Sequence, residues 1–166
     1  DWLKKLIKPL EDNKVGAVGG PSLAPSSVSL FQRVVDYCMV SSFIGTGGMI
    51  GTTKKSLFKY FPRGGNMAVP KKVFDKVGLF DEKYFMYYED ADYCIRAKKA
   101  GFKVGVDSRN KYYHFEWSEN NNPQKKYLLA KNRLLFLIKY GSIKQKIYEV
   151  IRLPKTLFEE RSLFFE

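Results

Sequence analysis

Apolar residues in this chain fall into short, separated groups, and the spacing within each group sorts the chain into helices and strands. Trp2, Leu3, Leu6, Ile7 and Leu10 recur at helical intervals between lysines, which predicts a first amphipathic helix capped by Asp1. Val15-Gly16-Ala17-Val18 reads as a short buried strand ended by Gly19-Gly20-Pro21, and the small residues from Ser22 to Ser29, with Pro25, read as a loop. Leu30 to Phe43 is apolar enough for a helix or a strand, and periodicity does not decide between them. Pro70 suits the first turn of a helix with Val73, Phe74 and Val77 on its apolar face, and Gly78 can end that helix in the left-handed conformation. Leu79 to Glu82 turns into the aromatic run Tyr84-Phe85-Met86-Tyr87-Tyr88, followed at once by Glu89, Asp90 and Asp92. A helix is predicted from Tyr93 to Ala100, closed by Gly101, then strands at Phe102–Val106 and Lys111–Phe115. After Trp117 a polar connector leads to Pro123, which opens a long helix to about Tyr140 with Tyr127, Leu134, Leu135 and Ile138 at helical spacing. Ser142 can cap a further helix carrying Ile143, Ile147, Val150 and Ile151 and stopping before Pro154. Strands and helices alternate up to residue 117, so an α/β region over 1–117 is expected, with a basic helical tail over 118–166.

Composition narrows the class. At 166 residues the chain can bury a real core but is small for a complete two-substrate enzyme. A 45% apolar share with 16% aromatics excludes a disordered polymer. No apolar run approaches the roughly 20 residues that span a bilayer. Cys38 and Cys94 form no ligand or redox spacing and, with no signal-like start, read as buried thiols of a cytoplasmic protein. The formal charge of +12 points to acidic partners. From Pro123 onward ten Lys or Arg face four Glu, which fits an anionic membrane surface at the inner face of a membrane, or packing on another domain. Nucleic acid is disfavoured, because the positive charge is spread along the chain without an accompanying motif. The chain opens without Met, already inside a helical pattern, and is expected to be a fragment.

Chemistry-bearing residues are few. Gly45-Thr46-Gly47-Gly48 lacks the Gly-Lys-Ser/Thr ending of a phosphate loop and reads as a flexible loop. Glu89 and Asp90 stand at a helix start, where free amides favour ionised carboxylates, and an ionised carboxylate at a pocket edge can accept a proton from a hydroxyl. Helical spacing puts Asp90 on one face with Cys94 and Ala97, leaning toward the core, and sets Asp92 four residues from Arg96 for a pair. Gly64-Gly65-Asn66 allows close backbone approach and offers an amide for hydroxyl recognition. His114, the single histidine, has no second His or Cys at ligand spacing.

In order and spacing, Gly64-Gly65-Asn66-Met67-Ala68-Val69, Val73 to Glu82, Tyr84 through Arg96, Ala100-Gly101-Phe102 and Tyr113-His114 resemble the C-terminal half of a family 2 glycosyltransferase catalytic domain. Lys131-Asn132-Arg133 is similar to the helix that ends rhamnosyltransferase-like members. The resemblance implies a partial GT-A fold, Rossmann-like with a mixed sheet, followed by C-terminal helices. It implies Asp90 as the general base of an inverting sugar transfer, Glu89 as a residue orienting acceptor or base, and Gly64, Gly65, Asn66 and Tyr88 on the acceptor side. His114 matches a position that in some members approaches the metal or diphosphate. The implied partners are a nucleotide-sugar donor and a glycan or lipid-linked acceptor, with self-association as a further option, and the implied cofactor is a divalent cation, Mg or Mn. The family's nucleotide-binding half and its Asp-X-Asp metal site are expected before residue 1, so no cation is expected on this fragment and the chain alone is expected to be inactive. A non-catalytic membrane- or protein-docking module is the alternative.

Overall fold

A computed structural model describes residues 2–23, 61–107, 109–113 and 122–159, with side chains as far as Arg152 in the last stretch. The expected element at 30–43, the glycine-rich loop at 45–51, Cys38, His114 and the Asp1 cap lie outside the described residues. In chain order the elements are α1 (Trp2–Ile7), β1 (Val15–Gly19), β2 (Ser22–Leu23), β3 (Met67–Ala68), α2 (Lys71–Val77), α3 (Glu89–Lys99), β4 (Lys103–Val106), β5 (Tyr112–Tyr113), α4 (Pro123–Tyr140) and α5 (Ile143–Glu159). Short 3-10 turns occupy Lys8–Glu11 and Gly64–Asn66.

Strand β1 is buried at every position because it is central. β3 pairs with it antiparallel, Val18 opposite Ala68, and β4 pairs with it parallel, Val18 opposite Gly105. The result is a mixed three-stranded sheet in the order β3-β1-β4, with β2 and β5 forming a separate parallel pair. The fold is α/β, with the mixed sheet expected of a partial Rossmann-like domain. The register shifts between Val15 and Ala17, which lets Val15 and Val18, three apart, share one apolar cluster with Leu6. Ala17 joins a second cluster with Val104, Val73 and the α3 residues Tyr93, Cys94 and Ala97.

Several elements differ from the sequence expectation for local reasons. Helix α1 is short and buries only Leu6, while Trp2, Leu3 and Ile7 stay about half exposed. Pro9 has no N–H for the carbonyl of Lys5, so the helix gives way to a 3-10 turn. That carbonyl accepts instead from Asn110 Nδ2 at 3.1 Å, a tie across the chain. Two residues of the expected 22–29 loop are strand β2. Helix α3 begins at Glu89, four residues before the expected Tyr93, because Glu89, Asp90 and Asp92 suit a first turn. Helix α5 runs through Pro154 to Glu159 rather than stopping before it. Gly78 ends α2 with φ 84° as expected in sign, but with ψ −178°, a conformation open to glycine. The expected Asp92–Arg96 pair forms at 2.8 Å with Asp92 fully buried, and Arg96 also donates to the carbonyls of Val77 and Leu79.

The chain divides into two compact units. One holds the described residues of Asp1–Asp81 and Glu89–Glu116, and the other holds Glu82–Tyr88 with the described part of Trp117–Glu166. In the second unit Asn122 caps α4 by accepting from the Lys125 amide at 3.2 Å. Ser142 and Gln145 exchange side-chain-to-backbone bonds at the start of α5 in a capping box. Glu149 of α5 pairs with Arg133 of α4.

Gly20 marks the tightest backbone approach. A Cβ there would stand 1.6 Å from the Asn110 carbonyl oxygen, whereas a Cβ on Gly65 would meet nothing closer than Tyr112 Oη at 3.6 Å. Gly20→Ala is therefore expected to cost about 1–3 kcal/mol or more, and Gly65→Ala no more than about 0.5 kcal/mol, in urea unfolding. Equal costs for the two would contradict this packing.

Candidate functional site at the start of helix α3

The apolar face of α3 fixes where its acidic end goes. With Tyr93, Cys94 and Ala97 buried against the sheet, Asp90, on the same side one turn earlier, faces the Gly64–Asn66 turn. The Gly64 amide donates to Asp90 Oδ2 at 3.1 Å, joining segments 26 residues apart, and Asp90 Oδ1 accepts from the Ala91 amide at 2.7 Å. An open recess of about 410 Å³ lies here. Gly64, Glu89 and Asp90 form its polar side, and Met67, Val69, Phe74 and Phe80 its apolar side. Phe74, Phe80 and Tyr93 pack with ring centroids 4.8–6.1 Å apart, so the apolar side is a braced aromatic group.

The two carboxylates are in different surroundings. Burial pushes the Glu89 carboxyl above its usual range, outweighing the lowering by its own backbone N–H, and the neighbouring Asp90 charge adds to the rise. Glu89 Oε2 is buried with no hydrogen-bond partner among the described residues. The helix start thus favours the ionised form less at Glu89 than its position suggests, because desolvation is the larger effect there. Asp90, held by two amides, presents a carboxylate of fixed orientation with further lone pairs to accept a proton or a hydroxyl.

Of the sequence-derived site residues, Gly64, Glu89 and Asp90 come together around the recess. Gly65 is exposed beside Tyr112. Asn66 is buried: its Nδ2 donates to the Asn110 carbonyl at 2.9 Å, its own carbonyl accepts from the Gly20 amide, and its Oδ1 has no partner among the described residues. Tyr88 belongs to the second unit, where its ring packs on Phe136 at 5.3 Å. His114 lies outside the described residues.

Asp90-Ala91-Asp92 has the letters of an Asp-X-Asp pair, yet residues two apart on a helix do not share a face, and Asp92 is buried against Arg96. Among the described residues no three His, Cys, Asp or Glu side chains gather to hold a metal ion. These residues do not form a cation site. Cys94 is an inert thiol, pushed up to about 12 by burial and set against Met67 sulfur at 4.0 Å.

Sequence reasoning missed two features. Phe74 and Phe80 read as helix face and turn, and only the packing of α2 on α3 makes them the recess wall. Asn132, in the second unit, is fully buried in α4, and its amide nitrogen donates to the carbonyls of Tyr84, Met86 and Tyr87 at 2.6–2.9 Å. Those carbonyls belong to a run with left-handed backbone at Phe85, Tyr87 and Tyr88, each costing on the order of 1–3 kcal/mol unless held by its surroundings. A polar residue inside the apolar spacing of a helix was the available signal.

Comparison with known proteins adds a chemical class. A 42-residue stretch is 36% identical to the low-salt glycan biosynthesis hexosyltransferase Agl10 of Haloferax volcanii, covering 25% of this chain and 14% of that protein. A 61-residue stretch is 41% identical to the N-acetylglucosaminyl-diphospho-decaprenol L-rhamnosyltransferase of Mycobacterium tuberculosis, covering 36% of this chain and 20% of that protein. No protein-family model and no solved structure matches the chain. The chain contains a glycosyltransferase-like region. It matches a fifth or less of the length of these relatives.

One measurement checks the site in the first unit, and another checks the Asn132 contacts in the second. Because the folded state holds the Glu89 proton more tightly than the unfolded chain does, ionised Glu89 costs stability as pH rises through and above its ordinary value of 4.5. Glu89→Gln should therefore gain stability over the parent as pH rises through that window and show little difference below it; a gain independent of pH would contradict the burial. Asn132→Ala removes a donor shared by the carbonyls of Tyr84, Met86 and Tyr87 and should cost about 2 kcal/mol or more in urea unfolding, with Asn132→Asp worse at neutral pH because a carboxylate cannot donate to them.

Proposed function

We propose that this chain is the acceptor-side half of an inverting family 2 glycosyltransferase domain of the GT-A fold, with Asp90 as general base. The observation that carries the reading is the Gly64–Asp90 clasp on the rim of the recess, with Glu89 beside it. It places a carboxylate of fixed orientation next to glycine backbone and an aromatic wall, a suitable seat for a sugar hydroxyl. The partial likeness to a hexosyltransferase and a rhamnosyltransferase supports sugar transfer as the class.

In the proposed step an acceptor hydroxyl gives its proton to Asp90 as its oxygen bonds to the anomeric carbon of a nucleotide sugar. The bond from that carbon to the diphosphate breaks, and the diphosphate leaves with the electron pair, so the configuration inverts. Glu89, desolvated and holding its proton more tightly than usual, donates or accepts a hydrogen bond that orients the acceptor. Hexose or rhamnose is the proposed sugar, and a glycan or a lipid-diphosphate-linked sugar the acceptor, in line with the relatives' names. The resemblance to family 2 glycosyltransferases is the support for proposing that a separate nucleotide-binding segment supplies the rest of the site and its divalent cation.

The test is sugar transfer by the full-length protein carrying Asp90→Asn. The amide oxygen of Asn can still accept from Gly64, so folding is kept while the base is lost. The rate should fall about 10²- to 10⁴-fold. Activity within a few-fold of the parent would remove Asp90 from the role.

A further inference from the structure

Helix α5 meets α4 with its polar side. Glu149 is buried and paired with Arg133 of α4, and at about 100° per residue it lies roughly opposite the centre of the stripe formed by Ile143, Ile147, Val150 and Ile151. Those four side chains are 55–77% exposed. They span about 100° of arc, with Lys144 bordering one edge and Lys146 the other. The apolar face of an amphipathic helix normally goes into the core. Here the single acidic residue between Asn122 and Arg152 fastens the helix by its other side, and the stripe is left outward.

We infer that the Ile143–Ile147–Val150–Ile151 stripe with its bordering lysines is a docking surface for an anionic lipid bilayer. Charge selects the occupant. Between Asn122 and Arg152 there are eight Lys or Arg and one Glu, and that Glu is already paired with Arg133. A second copy of the chain would bring two such basic faces together, and lysine is depleted from the centres of protein interfaces. An anionic membrane supplies the opposite charge to the lysines and an acyl boundary to the isoleucines, with the helix lying in the interface plane. Among the described residues no helix is long and apolar enough to cross a membrane, so the contact is lateral rather than spanning. This inference is independent of the sugar-transfer reading.

The test is co-sedimentation of the full-length protein with vesicles of phosphatidylcholine alone and of phosphatidylcholine mixed with phosphatidylglycerol, at low and high salt. Binding is expected on the mixed vesicles, about tenfold or more weaker on the neutral ones, and weakened by salt. Ile147→Glu combined with Ile151→Glu, both at exposed positions and checked by circular dichroism to keep the parent's helix content, should lower binding at least about tenfold. Lys144→Gln with Lys146→Gln should lower it about 25-fold on mixed vesicles, at roughly fivefold for each charge removed. No vesicle binding, equal binding to both lipid mixtures, or binding unaffected by the isoleucine changes would overturn the inference. So would self-association that those changes abolish without any vesicle binding, which would assign the stripe to a second copy.

Discussion

The burial of one face of α3 against the sheet is the constraint from which the candidate site follows. Tyr93, Cys94 and Ala97 have no exposure, and they pack with Ala17 of β1, Val104 of β4 and Val73 of α2. Once that face is inward, Asp90 can only point to the turn before β3, where the Gly64 amide meets it. β1 holds the arrangement because it is central and pairs with β3 on one side and β4 on the other. The loop after α2 is fixed to the same helix by Arg96, which reaches the carbonyls of Val77 and Leu79 while neutralising buried Asp92. The three acidic residues of one short motif therefore have three separate conditions. Asp92 is a buried structural partner, Asp90 is an oriented acceptor at the rim, and Glu89 is desolvated and holds its proton longer.

That separation is what makes the recess chemically interesting. A proton acceptor needs to be ionised, oriented and reachable, and hydrogen bonds from Gly64 and Ala91 provide the orientation without closing off the carboxylate. A partly buried neighbour of raised proton affinity supplies a different hydrogen-bonding character at the same rim. Within the second unit, the Asn132 amide of α4 donates to the carbonyls of Tyr84, Met86 and Tyr87 and so holds a run whose backbone is left-handed at three positions.

Much of this was legible in the residues. Val15 to Val18, the Pro70 helix, the Asp92–Arg96 pair, the face shared by Asp90, Cys94 and Ala97, and the Pro123–Tyr140 helix all follow from spacing and capping, which are local properties. What spacing did not show depends on distant partners. Pro9 shortens α1, but that Asn110 would take the carbonyl Pro9 frees is a contact across more than a hundred residues. The crowding at Gly20 and the burial of Asn66 arise where the turn before β3, the end of β1 and the Asn110 turn converge. The recess wall needed α2 and α3 to meet before Phe74 and Phe80 could be seen as neighbours. Pro154 by itself predicts a helix stop, yet α5 continues to Glu159, a case of context overriding a breaker.

The most direct test of the central claim is a crystal structure of the full-length protein with a sugar acceptor and a nucleoside diphosphate bound. An acceptor hydroxyl is expected within hydrogen-bond reach of Asp90, with the Gly64–Asp90 contact intact and the acceptor ring over the recess lined by Phe74 and Phe80. An acceptor bound elsewhere, with Asp90 remote from every hydroxyl, would contradict it.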